Sequence, residues 1–463
     1  MGCEFWTGIL IATLKVIEPA TEKVLAEVPE AGIEEADAAV ARAKAAYPAW
    51  RAMTPRDRAN ALRRLATAVE RQADKLATLE ARNVGKPISD ARGEVGMVVD
   101  VFNYFAGAPE RLFGETIPVA GGVDMTFREP LGVVALIVPW NFPLAIASWK
   151  VGPALAAGNT IVLKPAALTP LTAIELERIA LEAGLPEGVL NVVVGAGRTV
   201  GERLVEHPDV AKVAFTGSTE VGKRIGQLAA ASIKRVTLEL GGKSANIVFA
   251  DADLEKAAAA APLAVFGNAG QDCCARSRIL VERSAVDRFM RALEAAVKAL
   301  KVGDPLDEET DMGPLISADQ REKVSSYLED GARVAIRGSA PTGPGYWFAP
   351  TVLSPVANGD RAAREEIFGP VAVVIPFADE DEAIRIANDT VYGLSGSIWT
   401  SNAGRAMRVA RALETGTISI NSNNSVRVTT PFGGFKQSGI GRELGPHALE
   451  HYTELKNVFL STS

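Results

Sequence analysis

A chain of 463 residues is long enough for two or three domains whose cores need no covalent staples. Its 48% hydrophobic and 23% charged residues describe an ordinary globular protein, and a formal net charge of −7 argues against a surface built for nucleic acid. Three cysteines (Cys3, Cys273 and Cys274) exclude a disulfide framework, no apolar run approaches the length of a membrane span, and a soluble cytoplasmic protein is expected.

The first ten residues lack a basic stretch and carry Glu4, a poor signal peptide. Trp6 stands where a myristoylation signal has Ser or Thr. Residues 11–30 read as a short strand and turns, with Pro19 and Pro29 as punctuation. Apolar residues then recur at three or four over 33–47 and 55–83, predicting helices, the second opened by Thr54 as N-cap and Pro55. A further helix is expected from Ser89 to about Leu112, and residues 114–128 read as a hairpin around Gly121-Gly122. A lone hairpin is marginal in water, so it should lean on another domain or subunit.

From residue 131 the pattern alternates. Apolar runs at 133–138, 160–163, 189–194 and 210–215 have the length of buried parallel strands, with helical patterns at 143–157, 170–183 and 198–206 between them. The fold class is therefore α/β with a doubly wound sheet, where ligands bind at the carboxyl ends of strands. The turns at those ends hold Pro139-Trp140-Asn141-Phe142, Lys164-Pro165, Gly195-Ala-Gly197 and Thr216-Gly217-Ser218. Gly217 and Ser218 open a helix after a strand, a geometry suited to a pyrophosphate, and the set of turns points to a dinucleotide. A second α/β unit follows, with strands at 246–250, 278–281, 371–376, 394–399 and 416–420 and helices at 254–267, 285–300, 317–330, 379–388 and 401–412. Residues 455–460 read as a strand able to complete the isolated hairpin.

Two stretches carry chemistry. Phe266-Gly-Asn-Ala-Gly-Gln-Asp-Cys273-Cys274 places two of the three cysteines in a small-residue segment, where a backbone N–H can face a developing oxyanion. Taken alone, such cysteines more often serve as small buried hydrophobes. Val236-Thr-Leu-Glu239-Leu-Gly-Gly-Lys-Ser244 reverses that reading by setting a lone acid in an apolar run. His207, His447 and His451 lie outside every motif, so a Cys–His dyad is not expected, and no Cys/His spacing suggests a metal.

The ordered set Pro139-Trp-Asn-Phe-Pro143, Lys164-Pro165, Phe215-Thr-Gly-Ser-Thr-Glu-Val-Gly222, Leu238-Glu-Leu-Gly-Gly-Lys-Ser244, Gly270-Gln-Asp-Cys273, Glu366-Ile-Phe-Gly-Pro370 and Pro431–Gly439 resembles the NAD(P)-dependent aldehyde dehydrogenase superfamily over nearly the whole chain. The resemblance implies a Rossmann-type cofactor domain (1–112 and 131–240), an α/β catalytic domain (241–440) and a small β oligomerisation arm (113–130 and 445–463) in a homodimer or homotetramer. It makes Cys273, two residues after Gln271, the nucleophile. Asn141 and the Cys273 N–H would hold the oxyanion, and Glu239 would activate water.

For the cofactor, NAD or NADP, it implies Lys164 at the adenosine ribose, Trp140 and Ser218 near the pyrophosphate, and Glu366 and Phe368 at the nicotinamide ribose. Pro139, Gly197, Phe215, Gly217, Val221 and Leu240 complete that set. Many NAD-preferring members have a glutamate three after the lysine. Here Ala167 stands there, removing repulsion toward a 2′-phosphate that Lys164 or Arg198 would then pair with. Phe142, Ile146, Trp149, Asp272, Cys274 and the loop 422–430 would line the aldehyde tunnel. Asp272 suits an ammonium-bearing aldehyde, as in bacterial aminobutyraldehyde dehydrogenases, and Arg427 suits a carboxylate such as that of succinate semialdehyde. Proximity to the nucleophile favours Asp272.

Overall fold

A computed structural model describes residues 12–329, 331–424 and 426–462. The expectations for the first ten residues, Cys3 and Ser425 of the 422–430 loop fall outside them.

Two large sheets divide most of the described chain. One has the strand order Gly439–Ile440, Arg235–Glu239, Val210–Thr216, Val133–Ile137, Thr160–Lys164, Leu190–Val192, parallel except for its two-residue edge. The other runs Val334–Arg337, Thr351–Leu353, Val371–Phe377, Arg278–Glu282, Ala245–Val248, Ser395–Trp399, Thr417–Ile420, parallel except for the 334–337 edge. In the first sheet the chain order reverses between the 133–137 and 210–216 strands. The turns 139–142 and 217–218 therefore lie side by side at its carboxyl end, where doubly wound sheets open a crevice.

The helix Pro143–Ala157 buries all 15 of its residues. It can be apolar on every side because it packs against the helices Pro55–Glu70 and Ile88–Ala106 as well as its own sheet. Thr54 caps the 55–70 helix, its hydroxyl accepting from Asp57 N.

The hairpin Thr116–Val119 and Gly122–Pro130 is extended by Thr453–Ser461 into a three-stranded antiparallel sheet, as expected. Its last strand exposes Leu455, Val458, Phe459 and Leu460. Among the described residues no helix is long and apolar enough to cross a membrane.

The structure corrects several element boundaries. Residues 11–30 hold two paired strands, Thr13–Glu18 and Lys23–Pro29, rather than one. The helical stretch 55–83 is two helices, Pro55–Glu70 and Ala73–Val84, because Gln72 leaves helical geometry (ψ 17°). The helix from 88 stops at Ala106, three residues before Pro109, and the segment after Ala196 begins with a π turn at Gly197–Gly201. The strands 334–337, 351–353 and 439–440 were not expected, being short and set among Pro and Gly.

Candidate active site

The chain passes once from the carboxyl end of the first sheet to the start of the second through Leu240-Gly-Gly-Lys-Ser244. Glu239 is the last residue of the 235–239 strand, and Ala245 begins the next. Both glycines of this crossing sit under close neighbours. A Cβ on Gly241 would lie 2.3 Å from Glu366 Oε2, and one on Gly242 would lie 2.4 Å from Cys273 O. Any side chain there would displace the nucleophile loop or Glu366, so the motif is a packing requirement.

The nucleophile loop follows the helix Leu254–Phe266 through a turn whose residues Asn268, Ala269 and Gly270 all have left-handed backbone (φ 50°, 55° and 69°). For the two non-glycine residues this costs about 1–2 kcal/mol each. The turn is held by side-chain bonds. Asn268 Nδ2 donates to Asn141 O at 3.0 Å, Gln271 Nε2 donates to Asn268 O at 3.1 Å, and Gln271 Oε1 accepts from Ile316 N at 2.9 Å. Asn141 Nδ2 donates to Gln271 O at 2.9 Å, and its second N–H has no partner among the described residues. Asn141 and the nucleophile loop are thus tied together.

Cys273 is half-buried at the edge of the large core cluster, whereas Cys274 is buried within it. Their sulfurs and the Asp272 carboxylate lie within 4.8 Å of one another, as three consecutive residues of one turn. The hydrogen bond with Cys274, then burial and the charges of Asp272 and Glu366, push the Cys273 thiol well above its ordinary range. At neutral pH Cys273 is accordingly held as the thiol rather than the thiolate.

Glu239 is buried, and neither carboxylate oxygen has a hydrogen-bond partner among the described residues. Burial first, and then the Glu443 carboxylate, push its pKa well up, against the pull of Lys150 and Arg442. Lys150 and Glu443 form a fully buried pair at 2.6 Å behind it. Removing one partner of such a pair costs roughly 3–5 kcal/mol. A lone lysine inside the apolar run 144–157 was the sequence signal for this pair, but its partner lies almost 300 residues away and was not legible.

The remaining site residues divide by place. At the carboxyl end of the first sheet, Ser218 caps the helix Thr219–Ala230, whose open N-terminus carries positive partial charge. Phe215 packs under Gly217 and Leu240 under Gly222, while Val221 is exposed. Lys164 is buried, donates to Pro165 O at 2.9 Å, and is pulled down to about 8 by desolvation. It adjoins Gly201 of the 197–201 turn, which begins at Gly197 and carries the exposed Arg198, and Ala167 follows on the same strand-end turn.

Pro139 and Trp140 stand half-buried on the neighbouring turn. The Trp140 ring meets Phe368 edge-to-face at 5.2 Å. Glu366 accepts from Gly242 N at 2.9 Å, and burial raises its pKa.

Phe142, Ile146 and Trp149 follow one another along one helix face, and Trp149 meets the Phe432 ring at 5.2 Å. Asp272 spends one carboxylate oxygen on Cys274 N at 2.8 Å, and burial raises its pKa. Arg427 is not brought to this group. It is exposed and donates to Asn424 O at 3.3 Å, while Val426 and Val428 on either side are half-buried against the core. Of the histidines, His207 ends the Glu202–Glu206 helix with Asp37 at 3.7 Å, His447 is exposed beside Glu450, and His451 accepts from Arg442 N at 3.1 Å.

The donor set fits a dinucleotide. It offers a helix N-terminus with a hydroxyl cap, a buried ammonium without an ion-pair partner among the described residues, a carboxylate near the crossing, and two aromatic rings. These features match those of proteins already known. The profile of the aldehyde dehydrogenase family matches residues 7–458. An aldehyde dehydrogenase of Emericella nidulans is 46% identical over 462 residues, 98% of this chain and 93% of that protein. A betaine aldehyde dehydrogenase of Bacillus subtilis is 45% identical over 404 residues, covering 85% of this chain and 82% of its own. The crystal structure of betaine aldehyde dehydrogenase from Staphylococcus aureus in complex with NAD+ superposes with a TM-score of 0.95 at 40% identity, covering 97% of this chain and 92% of that one. This chain belongs to the aldehyde dehydrogenase family and is an enzyme that oxidises aldehydes.

Proposed function

We propose that the enzyme converts an aldehyde to its carboxylic acid through a thioester on Cys273, with NAD or NADP as oxidant. The observation that carries this reading is the convergence of three groups on the 240–244 crossing. Glu239 begins the crossing, Gly242 underlies Cys273, and Asn141 is bonded to the Cys273 loop. Cys273 Sγ forms a bond to the aldehyde carbon and gives up its proton to solvent. The carbonyl oxygen takes the electron pair and is held by the second Asn141 N–H and the Cys273 backbone N–H. The nicotinamide, when bound, supplies the two-electron acceptor that turns this thiohemiacetal into a thioester.

Glu239 then takes a proton from water, the water oxygen adds to the thioester carbon, and the C–S bond breaks to return the thiol. Lys164, Ser218, Trp140, Glu366 and Phe368 hold the cofactor in this reading. The groups from the first sheet (1–112 and 131–240) form its binding side, and residues 241–440 carry the nucleophile. The exposed apolar strand 453–461 supports a homo-oligomer, dimer or tetramer, whose subunit number light scattering would give.

Two determinants follow. A glutamate at position 167 would place a carboxylate beside the buried Lys164, so Ala167→Glu is expected to reduce NADP use about tenfold relative to NAD, read as the ratio of kcat/KM values. An unchanged ratio would place the ribose pocket elsewhere. For the aldehyde we favour a cationic substrate such as an aminoaldehyde. Asp272 lies beside the nucleophile, and the relatives from Bacillus subtilis and Staphylococcus aureus are named for betaine aldehyde. A carboxylate-bearing aldehyde would need Arg427, which is exposed and donates one N–H to its own loop at Asn424 O.

Reduced-cofactor formation across 4-aminobutyraldehyde, betaine aldehyde, succinate semialdehyde, benzaldehyde and propanal tests this. A cationic aldehyde should show the highest kcat/KM. Equal rates with the neutral aldehydes would make Asp272 a bystander, and a preference for succinate semialdehyde would transfer the role to Arg427.

A further inference from the structure

Lys86 lies between the helices Ala73–Val84 and Ile88–Ala106, outside every motif discussed above. Its side chain is completely buried. An ammonium has three N–H donors, and here all three are taken. Nζ donates to Glu94 Oε1 and Oε2, both at 2.6 Å, and to Asn141 O at 3.0 Å. Glu80 is 3.9 Å away and is itself bound to Thr172 and to the Leu144 N–H. The same ammonium sits 4.3 Å over the Phe142 ring. One cation thus grips two consecutive residues of the 139–142 turn, the backbone oxygen of one and the ring of the other.

A buried pair is poor value as a stabiliser, since its desolvation offsets much of its attraction. The third donor gives this one a different use. Asn141 O also accepts from Asn268 Nδ2 at 3.0 Å, so Lys86 clamps the Asn141 peptide from the helical side while Asn268 holds it from the nucleophile loop. With the peptide clamped from both sides, the Asn141 amide has one position relative to Cys273.

We propose that Lys86 is a positioning residue for the oxyanion donor, fixing Asn141 and the Phe142 wall against the nucleophile loop with Glu94 as its counter-charge. This rests on the reading of Asn141 as that donor. Misplacing a catalytic donor by about 1 Å is enough to lose roughly 10²-fold in rate.

The test is a double-mutant cycle. Lys86→Met alone strands the Glu94 carboxylate, so the working variant is Lys86→Met with Glu94→Leu, which removes that pair together and leaves Glu80 its Thr172 and Leu144 partners. Its kcat is expected to fall about 10- to 100-fold. Cofactor affinity and the rate of Cys273 alkylation by iodoacetamide, which need no oxyanion hole, should stay at wild-type values. Esterase and dehydrogenase turnover should fall by the same factor.

In an Asn141→Ala background the paired substitution should produce little further loss, because both changes disable one function. Lys86→Arg, which keeps charge and donors, should retain more turnover than Lys86→Met. Wild-type kcat in the paired variant, or losses that multiply with Asn141→Ala, would overturn the proposal while leaving the oxyanion reading intact. Wild-type turnover in Asn141→Ala alone would overturn both.

Discussion

Replacing Cys273 with alanine is expected to lower aldehyde turnover by roughly 10⁴- to 10⁶-fold, the range seen when a covalent nucleophile is removed. Esterase turnover should vanish with it, since both activities need the same sulfur. Cys274→Ala should keep most of both. The asymmetry follows from burial. Cys274 is packed into the core, with its N–H given to Asp272 and its carbonyl accepting from the Arg276 guanidinium, whereas Cys273 is only half-buried.

The thiol of Cys273 is raised by its neighbours, so its reactivity should climb with pH; alkylation by iodoacetamide measured from pH 6 to 10 reads this directly. The opposite pattern, with Cys274 essential and Cys273 dispensable, would reassign the nucleophile.

The second large effect belongs to Glu239. Glu239→Gln is expected to slow steady-state turnover by about 10²- to 10⁴-fold while sparing a first burst of reduced cofactor, because oxidation precedes water attack. Burial holds the carboxyl in its protonated form to higher pH, so the base form accumulates only as pH rises through the folded pKa. Wild-type deacylation should therefore rise with pH, and the glutamine variant should lose that slope. A burst that disappears in a folded, cofactor-binding variant would show that Glu239 acts before the thioester.

The same ionisation is visible in stability. The folded pKa lies above the unfolded value of about 4.3. The carboxyl's stabilising contribution is therefore complete below that value and is lost as pH rises through the folded pKa. The difference in Tm, wild type minus variant, should shrink with increasing pH.

Much of this architecture was legible before any coordinates, for identifiable reasons. The helix Pro143–Ala157 starts at a proline and ends before Gly158, and its apolar run has no competing period, so both of its ends matched. The hairpin at 116–130 and its third strand were legible because Gly121-Gly122 marks a turn and the terminal run needed a partner. The order of strands was not, because it depends on crossovers that pattern alone does not encode.

Around the site, the nucleophile, the acid and the asparagine each sat in a dense local motif. Lys86 sat in none. Its significance lies in Glu94 and Asn141, and only the fold brings it to the latter. Arg427 shows the converse, a charge in a suggestive loop that the alternation of Val426 and Val428 turns outward.

The crossing at 240–244, shorter than the return between the 417–420 and 439–440 strands, has a mechanical consequence. A segment of that length reaches at most about 17 Å when fully drawn out, and it is pinned at one end by the 235–239 strand and at the other by the 245–248 strand. Base and nucleophile are thus mounted on opposite sides of a short tether, with Glu366 and Cys273 resting directly on its two glycines. Sliding of one sheet against the other would be felt first as a change in the gap between Glu239 and Cys273.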